Sequence, residues 1–553
     1  MKIIIVGGVA GGASAAARLR RLDEEAEIIL LERGGFISFA NCGLPYYIGG
    51  ETSGAGLTVQ TPESFRARFN VDVRTLNEAV EIDAENKSVL VRDSSNGREY
   101  RENYDKLVLS PGAEPVRPQI KGAGDRRVFT LRTIPDADKI RAFVEENSPK
   151  RALVVGGGFV GLETAENLMK LGLEVTVVEF ADHIIAPLDF DTAAEVQNYL
   201  RLKGVNLWLR RAVKALYPTK KIIGAELDDR TVLEAEMVVL AVGVRPDTEI
   251  AKKAGLATNE RGAIKVDGRM RTSDPNIYAV GDAVAVTNAV TGKEAYIPLA
   301  GPANKQGRIA ADNICGLESA YNGSQGSGIL KFFDLAAAST GLNESAAKSA
   351  GIDCDKVYIR TASHAPYYPG AEQMLIKTLF EKKSGRILGA QVVGGSGADK
   401  RCDLLAVAVR NKLTAFDLAE MELCYAPPFS SAKDPVNVVG FAIENILTGK
   451  VRQFHWNEIP AVLANENAIL LDVRTEAEYA AGNIAGARNI PLDSLRERLG
   501  ELDKSKTIYV HCRSGQRSYL ACRILTQNGF DCLNLAGGYL LYESATKNLG
   551  PNE

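Results

Sequence analysis

The sequence lacks the features that would indicate a membrane-bound or exported protein. It has no run of about 18 apolar residues, the length that a membrane-spanning helix requires. The apolar run at residues 3–6 is too short for the hydrophobic part of an export signal and is typical of a first buried strand. We therefore expect a cytoplasmic location and no membrane partner.

Cysteine pairs and a charge excess are also missing. The eight cysteines are scattered, and none forms a CxxC or Cys/His metal-binding spacing, so we expect reduced thiols and no metal. The 66 basic and 69 acidic residues leave a net charge of −3, which gives no reason to expect nucleic acid as a partner. What is present is an ordinary globular composition, with 45% hydrophobic and 24% charged residues. A length of 553 residues predicts about three to five domains.

The first part of the chain predicts a dinucleotide-binding unit. A strand at residues 3–6 leads into a glycine turn at 7–12 and a helix at 13–22. Glycine at both ends of the turn allows close helix–strand packing, and the helix N-terminus then receives a pyrophosphate. Glu32 ends the next strand, where a carboxylate binds ribose hydroxyls. The turn departs from GxGxxG at Val9, but strand, helix, strand and acid together predict a dinucleotide site.

Residues 151–180 repeat this arrangement. A full GxGxxG at 156–161 stands between a strand and a helix, and Glu179 ends the next strand. An acid at this place favours a free 2′-hydroxyl, so NADH is expected rather than NADPH. Two such units in one chain imply two nucleotides held face to face, a flavin and a nicotinamide.

The rest of the chain predicts further α/β structure. One buried strand is followed by a sharp turn at Ser110, Pro111 and Gly112, and another is followed by a glycine turn with Gly281 and Asp282. An Asp after such a turn commonly hydrogen-bonds a ribityl chain or a helix N-terminus.

A change of texture follows. Residues 327–447 alternate strands with later helices, which is typical of an α+β interface domain. Residues 448–458 are interpreted as a linker. Residues 459–553 predict a separate small α/β unit. Its second buried strand at 508–511 ends in a loop that begins with Cys512, and a helix is predicted over residues 518–527.

Cys42 stands alone in the segment Ser38-Phe39-Ala40-Asn41-Cys42-Gly43-Leu44-Pro45-Tyr46, downstream of the first dinucleotide unit. Its thiol is therefore expected to lie over a cofactor. The next cysteine along the chain is Cys315, so a second sulfur has to arrive with the substrate. The thiol also needs a low pKa, because the thiolate is the nucleophile.

These motifs resemble the two-dinucleotide flavoprotein disulfide reductases. The Cys42 segment is similar to that of the single-cysteine branch that contains the coenzyme A disulfide reductases, and residues 459–553 resemble a rhodanese domain. The combination is similar to the coenzyme A disulfide reductase–rhodanese fusions, which reduce coenzyme A persulfides and polysulfides. The resemblance divides the chain into an FAD-binding domain at 1–115 and 245–325, an NADH-binding domain at 116–244, a dimerisation domain at 326–447, a linker at 448–458 and a rhodanese domain at 459–553.

The resemblance also implies cofactor contacts, residue by residue. FAD contacts are expected from Gly7, Val9, Ala10, Gly11, Gly12, Glu32, Arg33, Asn41, Ser110, Pro111, Gly112, Gly281, Asp282 and Ala300. NADH contacts are expected from Gly156, Gly158, Phe159, Val160, Gly161 and Glu179.

Substrate and partner contacts follow from the same resemblance. In the family, two tyrosines of the partner subunit reach the redox cysteine, and Tyr367 and Tyr425 match them, so a homodimer is expected. A phenol at this place donates to a thiolate or protonates a leaving thiol. Coenzyme A carries phosphates that basic and polar side chains bind. Its expected contacts are Ser14, Arg18, Arg21, Ser38, Asn41, Arg66, Arg68 and Lys433.

The Cys512 loop is expected to carry sulfur. Backbone N–H groups of a short loop that opens a helix form a nest for an anion, here a thiolate and then a terminal persulfide. The C-x4-R spacing is one residue shorter than the C-x5-R loops that surround a phosphate, and it fits a sulfur atom. The other loop residues are Arg513, Ser514, Gly515, Gln516 and Arg517. Asp472 and Arg474 are expected to hold the fold.

The resulting hypothesis is an NADH- and FAD-dependent reductase of a small-molecule coenzyme A persulfide or polysulfide. Cys42 is its redox nucleophile, and Cys512 relays sulfane sulfur to coenzyme A. The main alternative is a coenzyme A disulfide reductase with an accessory rhodanese domain. An NADH oxidase or peroxidase is disfavoured, because a histidine common in those enzymes is replaced by Ala10. A redox sensor or sulfur-trafficking module without turnover is the alternative from another class.

Overall fold

The computed structural model describes residues 1–549 and contains two compact units. The first consists of Met1–Phe180 and Arg211–Gly326, and the second of Ala181–Arg210 with the chain from Ser327 onward. The segment 181–210 therefore leaves the first unit, and the chain then returns to it. The domain boundaries expected from the sequence stay predictions.

Residues 1–180 alternate parallel-sheet strands with helices around a short antiparallel stretch. The strands are β1 (Lys2–Val6), β2 (Glu27–Glu32), β3 (Asp72–Thr75), β4 (Asn77–Asp83), β5 (Ser88–Asp93), β6 (Glu99–Asn103), β7 (Lys106–Leu109), β8 (Ala113–Pro115), β9 (Val128–Phe129), β10 (Arg151–Val155) and β11 (Glu174–Glu179). The helices are α1 (Ala10–Leu22), α2 (Leu44–Ile48), α3 (Gly54–Leu57), α4 (Pro62–Phe69), α5 (Ile134–Asn147) and α6 (Phe159–Lys170).

Residues 181–326 cross between the units. The segment that belongs to the second unit contains α7 (Phe190–Leu202) and β12 (Asn206–Leu209). The strands that follow are β13 (Val213–Pro218), β14 (Ile223–Leu227), β15 (Val232–Ala235), β16 (Met237–Leu240), β17 (Val244–Pro246), β18 (Ile264–Lys265), β19 (Ile277–Ala279), β20 (Val284–Thr287) and β21 (Glu294–Ala295). The helices there are α8 (Glu249–Lys253) and α9 (Ala300–Ile314).

The remainder of the second unit has two sheets with helices. Its strands are β22 (Gly328–Phe332), β23 (Leu335–Gly341), β24 (Cys354–Ala362), β25 (Gln373–Glu381), β26 (Ile387–Gly394), β27 (Gln453–Phe454), β28 (Ala468–Asp472), β29 (Arg488–Asn489), β30 (Thr507–His511) and β31 (Cys532–Leu535). Its helices are α10 (Glu344–Ala350), α11 (Ala398–Arg410), α12 (Ala415–Glu420), α13 (Pro435–Leu447), α14 (Ile459–Leu463), α15 (Glu476–Ala480), α16 (Gln516–Gln527) and α17 (Gly538–Thr546).

The first sheet has the order β19-β7-β1-β2-β3, and all neighbouring strands are parallel. Its strand β1 contains Ile3, Ile4 and Ile5, which are completely buried. A parallel sheet covered on both faces requires such continuous apolar strands. The strand order reverses between β1 and β7, and a doubly wound sheet binds its ligand beside this reversal, at the carboxyl ends of the strands.

The second dinucleotide unit and the second compact unit contain further sheets. Strands β11, β10, β16 and β9 are parallel neighbours in that order, which places the second glycine turn at a second carboxyl edge. In the second unit, β22-β23-β26-β25-β24 form an antiparallel sheet. Strands β27-β31-β30-β28-β29 form a parallel one. No helix within residues 1–549 is long and apolar enough to cross a membrane.

Candidate functional site

The first glycine turn needs glycine for steric reasons. Gly7 has φ +98, a left-handed conformation that favours glycine. A Cβ on Gly12 would lie 1.9 Å from the carbonyl oxygen of Gly7, so a larger residue does not fit. Helix α1 begins at Ala10 and not at residue 13, because Gly11 and Gly12 form part of its first turn. The prediction for the start of this helix was wrong, but the turn lies where a helix N-terminus faces the sheet edge.

The acid at the end of β2 holds this turn in shape. The Glu32 carboxylate accepts hydrogen bonds from the backbone N–H of Gly8 at 2.9 Å and of Gly34 at 2.7 Å. Sequence reasoning assigned Glu32 to ribose hydroxyls. In the structure, its carboxylate also ties the glycine turn to the loop after β2.

The second glycine turn is built in the same way. Gly156 has φ +111, and a Cβ on Gly161 would lie 2.0 Å from the carbonyl oxygen of Gly156. Glu179 accepts a hydrogen bond from the backbone N–H of Gly157 at 2.6 Å. A Cβ on Gly158 would meet nothing within 4 Å, so the middle of this turn faces open space. Helix α6 begins at Phe159, directly behind it.

A half-buried arginine that sequence reasoning missed lies beside the turn after β7. Arg132 donates through Nη2 to the carbonyl oxygen of Pro111 at 3.0 Å. Its Nη1 is buried and has no hydrogen-bond partner within residues 1–549. Burial lowers the pKa of Arg132, and burial raises the pKa of Asp282, whose carboxyl is stabilised in turn by the Arg132 charge. The one available signal was a charged residue just after the apolar strand β9.

Other expected FAD contacts lie around the same edge. Gly112 and Gly281 have φ +77 and φ +80, so both turns use the left-handed region. Arg33 forms an ion pair with Asp247 at 2.9 Å. Ala300 begins α9, which packs against α1.

The residues present therefore fit FAD. The glycine turn at 7–12 leaves backbone accessible at the sheet edge, and the unpaired Nη1 of Arg132 supplies a positive group for a phosphate.

Cys42 lies in a short 3₁₀ turn, Asn41–Gly43, that leads into α2. The residue is exposed in the single chain, although nearby protein partly desolvates its thiol. Burial raises the pKa of Cys42, and the negative charges of Glu163 and Asp282 raise it further. The chain alone therefore does not supply the positive charge that a reactive thiolate needs.

Glu163 is a second residue that sequence reasoning missed. It lies on α6, and it accepts a hydrogen bond from the Tyr46 hydroxyl at 3.4 Å. Tyr46 lies on α2, one turn after Cys42, so α2 links the cysteine to α6. Burial raises the pKa of Glu163 to about 7. A carboxyl that titrates there can hold or release a proton beside the cysteine.

A cavity of about 370 Å³ opens beside α1, α4 and α9. Ser38, four residues before Cys42, has φ 45, which is uncommon for a residue other than glycine. Strain of this kind is frequent at binding sites. The cavity is lined by three expected coenzyme A contacts, Ser14, Arg21 and Ser38, and by residues that were not expected, Phe65, Phe69 and Arg308.

The remaining expected coenzyme A contacts do not line this cavity. Arg18 donates to Asp312 at 2.7 Å, and Arg66 donates to the carbonyl oxygen of Val73 at 2.7 Å. These contacts use part of the donor capacity of each guanidinium. Arg68 is exposed at the end of α4, and Lys433 is exposed in the second unit, just before α13.

The expected tyrosine pair lies in the second unit. The hydroxyl groups of Tyr367 and Tyr425 are 3.3 Å apart and form a hydrogen bond. This hydrogen bond raises the pKa of Tyr367. Tyr367 is 74% exposed, and the nearby sequence also leaves Phe429 70% exposed. Large exposed aromatic residues of this kind mark an interaction surface.

Cys512 follows β30 directly, and its thiol is buried in the loop before α16. The backbone N–H of Gly515 donates to Cys512 Sγ at 3.1 Å, and the Ser518 hydroxyl donates to it at 3.3 Å. Helix α16 begins at Gln516 and not at Ser518, because Gly515, with φ +102, is its N-cap. The sulfur therefore lies at a helix N-terminus among donors, as an anion requires.

The two arginines of this loop differ in their exposure and in their ion pairs. Arg517 donates through Nη1 and Nη2 to the two oxygens of Glu478, both at 2.7 Å. The Arg517 guanidinium lowers the pKa of Glu478 to about 2. Arg513 is exposed and forms no ion pair within residues 1–549. Glu478 lies on α15, and sequence reasoning missed it.

Behind the loop, Asp472 and Arg474 form a buried ion pair at 2.6 Å, as expected for residues that hold the fold. Arg474 also donates to the carbonyl oxygen of Gly482 at 2.7 Å. Each charge therefore has its partner in the domain interior, and removal of either residue alone would leave an uncompensated buried charge.

The chain belongs to the pyridine nucleotide-disulphide oxidoreductases, the family that matches residues 1–307. The dimerisation domain of these oxidoreductases matches residues 328–435, and a rhodanese-like domain matches residues 456–545. The predicted family and fold class are confirmed. The protein is a flavoprotein oxidoreductase that uses FAD and a nicotinamide cofactor and acts on sulfur.

Similar proteins include the NADH oxidase of Methanocaldococcus jannaschii, 36% identical over 440 residues, which are 79% of this chain and 97% of that protein. The coenzyme A disulfide reductase of Staphylococcus epidermidis is 35% identical over 444 residues, 80% of this chain and 99% of that protein. Among solved structures, the reduced CoADR-RHD of Bacillus anthracis is 48% identical with a TM-score of 0.97, over 99% of this chain and 98% of that chain. The NAD-dependent persulfide reductase from A. fulgidus is 39% identical with a TM-score of 0.91, over 98% of this chain and 100% of that chain.

Proposed function

We propose that the protein uses NADH to reduce coenzyme A persulfide and polysulfide, with Cys42 as redox nucleophile and Cys512 as the acceptor of sulfane sulfur. The observation that carries this proposal is the buried thiol of Cys512 among hydrogen-bond donors, in the same chain as the unpaired Cys42. One chain then has a sulfur-accepting site and a sulfur-reducing site. The likeness to a persulfide reductase along almost the whole chain supports the same function.

The overall reaction balances with one hydride. NADH, one proton and coenzyme A persulfide give NAD⁺, coenzyme A and hydrogen sulfide. FAD, when bound, supplies the transfer of two electrons from NADH to sulfur. The glycine turn at 7–12 and Arg132 would hold it, and the electron pair would break the bond between Cys42 and the substrate sulfur and leave Cys42 as a thiolate.

Cys42 can attack either sulfur of the persulfide. Attack on the outer sulfur gives a Cys42 persulfide and free coenzyme A, whereas attack on the inner sulfur gives a Cys42–coenzyme A disulfide and hydrosulfide. The Tyr367–Tyr425 pair would protonate the leaving group, because a phenol held by a second phenol is placed to donate. Mass spectrometry of the oxidised enzyme after addition of substrate separates the two products.

Coenzyme A is proposed to bind in the cavity beside α1, α4 and α9. Arg21 and Arg308 would bind phosphates, and Phe65 or Phe69 would stack on the adenine. The strained Ser38 lines this cavity and lies four residues before Cys42. The same short segment would therefore contribute to coenzyme A binding and carry the reacting thiol.

The active protein is proposed to be a homodimer in the cytoplasm. The matched dimerisation domain and the exposed Tyr367, Tyr425 and Phe429 support this assembly. In it, the tyrosine pair of each subunit would reach Cys42 of the other.

A coenzyme A disulfide reductase with an accessory rhodanese domain is the second candidate. The Staphylococcus epidermidis relative supports it, since 99% of that protein matches 80% of this chain. An NADH oxidase is a weaker candidate, supported by the name of the Methanocaldococcus jannaschii relative. The two differ from the proposal in the substrate that turns over fastest.

The first test is steady-state NADH oxidation with coenzyme A persulfide, polysulfide, coenzyme A disulfide, peroxide and oxygen. The persulfide or polysulfide should give the highest kcat/KM. Faster turnover of the disulfide would favour the second candidate, and rapid oxygen or peroxide consumption would favour an oxidase.

Cysteine variants assign the two roles. Cys42→Ser should reduce turnover of every disulfide and persulfide by about 1,000-fold or more, because the attacking thiolate is lost. Cys512→Ser should keep turnover of coenzyme A persulfide but lose turnover that depends on sulfur transfer from polysulfide to coenzyme A. Cys315→Ser, on the far end of α9, is the control and should behave like the unmodified protein. Full persulfide turnover by Cys42→Ser would refute the scheme.

A further inference from the structure

The Cys512 site contains an arginine whose charge is already neutralised. Arg517 completes the C-x4-R loop, but both of its terminal nitrogens bind the carboxylate of Glu478 at 2.7 Å. A bidentate arginine–carboxylate pair is among the strongest side-chain hydrogen bonds. The charge of Arg517 is therefore not freely available to an anion that approaches Cys512.

Glu478 is itself held in place. It lies in α15, and its Oε2 accepts a hydrogen bond from the backbone N–H of Thr475 at 3.0 Å and from the Thr475 hydroxyl at 3.2 Å. The Thr475 hydroxyl in turn accepts from the backbone N–H of Glu478 at 3.2 Å, which completes a capping box. A carboxylate bound from two sides does not move aside easily when a substrate arrives.

Two kinds of sulfur donor make different electrostatic demands on this loop. In thiosulfate the sulfur that Cys512 attacks is bonded to a sulfonate, so the leaving group develops into sulfite with two negative charges next to the loop. In an organic persulfide the leaving group is a thiolate with one charge. Among the cations of the loop, Arg513 alone is exposed and forms no ion pair with any described residue.

We propose that Glu478 is a specificity-determining residue, which neutralises Arg517 and thereby directs the Cys512 site to organic persulfides and away from thiosulfate. This inference rests on the proposed role of Cys512 as sulfur acceptor. Glu478 binds Arg517 through both carboxylate oxygens, so it would act on the donor through Arg517, as a positioning residue.

Both transfers balance. With an organic persulfide, the Cys512 thiolate attacks the outer sulfur, the sulfur–sulfur bond of the donor breaks, and the thiolate of the donor leaves with the electron pair. With thiosulfate, the same attack breaks the bond between the two sulfur atoms, and sulfite leaves with the electron pair. In each case Cys512 becomes a persulfide, and no external oxidant or reductant is needed.

The test measures how fast Cys512 gains one sulfur atom in the full-length, FAD-loaded protein without NADH. Sulfur is located on the Cys512 peptide by mass spectrometry after addition of thiosulfate or of cysteine persulfide, an organic persulfide without phosphates. Glu478→Gln keeps the shape of the side chain and removes its charge. We expect the rate constant with thiosulfate to rise by about tenfold and that with the persulfide to change by less than about threefold.

Two further variants make the result decisive. Glu478→Ala removes the charge without relying on the glutamine amide, and it should change the ratio of the two rate constants in the same direction. Glu476→Gln, on the same helix with an exposed side chain, is the matched control and should leave the ratio unchanged. A mere loss of structure would lower both rate constants together.

The outcomes distinguish failure of the proposed function from failure of the role of Glu478. If unmodified Cys512 takes sulfur from neither donor, the proposed function fails, and this inference fails with it. If unmodified Cys512 takes sulfur but the ratio does not change in Glu478→Gln and Glu478→Ala, the proposed function stands and the role of Glu478 is refuted.

Discussion

The two charged side chains that act on the Cys42 thiol are acidic. Burial together with Glu163 and Asp282 raises the pKa of its thiol, although a nucleophilic cysteine needs the opposite. The compensating charge has to enter with the bound cofactor, the substrate or the partner subunit. The surroundings of Cys512 differ, because its own loop provides a backbone N–H and a hydroxyl that donate hydrogen bonds to the sulfur.

Glu163→Gln should make Cys42 more acidic. Glu163 has a pKa of about 7, so it is neutral below this pH and negatively charged above it, where it opposes ionisation of the thiol. Removing this charge should lower the pH midpoint of Cys42 alkylation by roughly one pH unit. Iodoacetamide labelling as a function of pH, with the Cys42 peptide quantified by mass spectrometry, measures the midpoint.

Other polar and charged groups surround the pair formed by Glu163 and Cys42. Tyr46 on α2 donates to Glu163, Glu166 on α6 adds a negative charge nearby, and the charge of Asp282 also raises the pKa of Cys42. None of these is changed by the substitution. Glu146→Gln, an exposed residue of α5, is the control. An unchanged or higher midpoint in Glu163→Gln would contradict the coupling.

At the scale of elements, α17 braces the Cys512 loop against the rest of the second unit. The backbone N–H groups of Tyr539 and Leu540 donate to the carbonyl oxygens of Cys512 and Arg513 at 2.8 and 3.0 Å. Farther along α17, Leu541 packs in a buried cluster with side chains of β24 and β25. Helix α17 thus connects the Cys512 loop to the sheet of the dimerisation domain.

Asn548, just after α17, should be important for this connection. It is buried, accepts a hydrogen bond from Gln197 at 2.8 Å and donates to Asn198 at 2.9 Å, both on α7. Asn548→Ala leaves buried polar groups without partners, which costs about 1–3 kcal/mol. We expect faster hydrogen exchange in α17 and in the Cys512 loop.

Gln527→Ala, an exposed position at the end of α16, is the matched control for this experiment. If exchange in α17 is equally slow in Asn548→Ala and in the control, the contact with α7 does not hold the helix in place.

At the scale of the whole molecule, the second unit has an aromatic surface that a single chain leaves uncovered. Phe429 is 70% and Tyr367 is 74% exposed. A surface of this kind is stable in water when a second copy covers it. The redox chemistry proposed for Cys42 then depends on assembly, because the tyrosines would come from the partner in the proposed dimer.

Phe429→Glu should convert a dimer to a monomer. A carboxylate buried in an apolar interface costs several kcal/mol, enough to weaken association by a factor of about 100 or more. Analytical ultracentrifugation measures the assembly, and NADH turnover should fall with it. Leu202→Glu, 81% exposed at the end of α7, is the control and should stay dimeric. A monomeric unmodified protein, or a dimeric Phe429→Glu variant with full activity, would contradict the assembly.

Much of the fold was predictable because its signals are local. The glycine turns require positive φ or close backbone approach at Gly7 and Gly156, and a sequence displays such glycines directly. The predicted first residues of the helices were less accurate. Predictions at residues 13 and 518 were wrong, because glycines inside a first turn or at an N-cap were read as part of the preceding loop.

The sequence by itself determined the two dinucleotide units, the lone Cys42 and the C-x4-R loop, since each depends on spacing along a short segment. Only the tertiary structure decided which distant side chains stand beside them. Arg132 meets the turn after β7, Glu163 lies near Cys42, and Glu478 binds Arg517. Such contacts depend on how separate helices and strands pack, and no local spacing encodes them. The physical reason is that backbone conformation is set mainly by neighbours in the chain, whereas charge and burial at a site are set by neighbours in space.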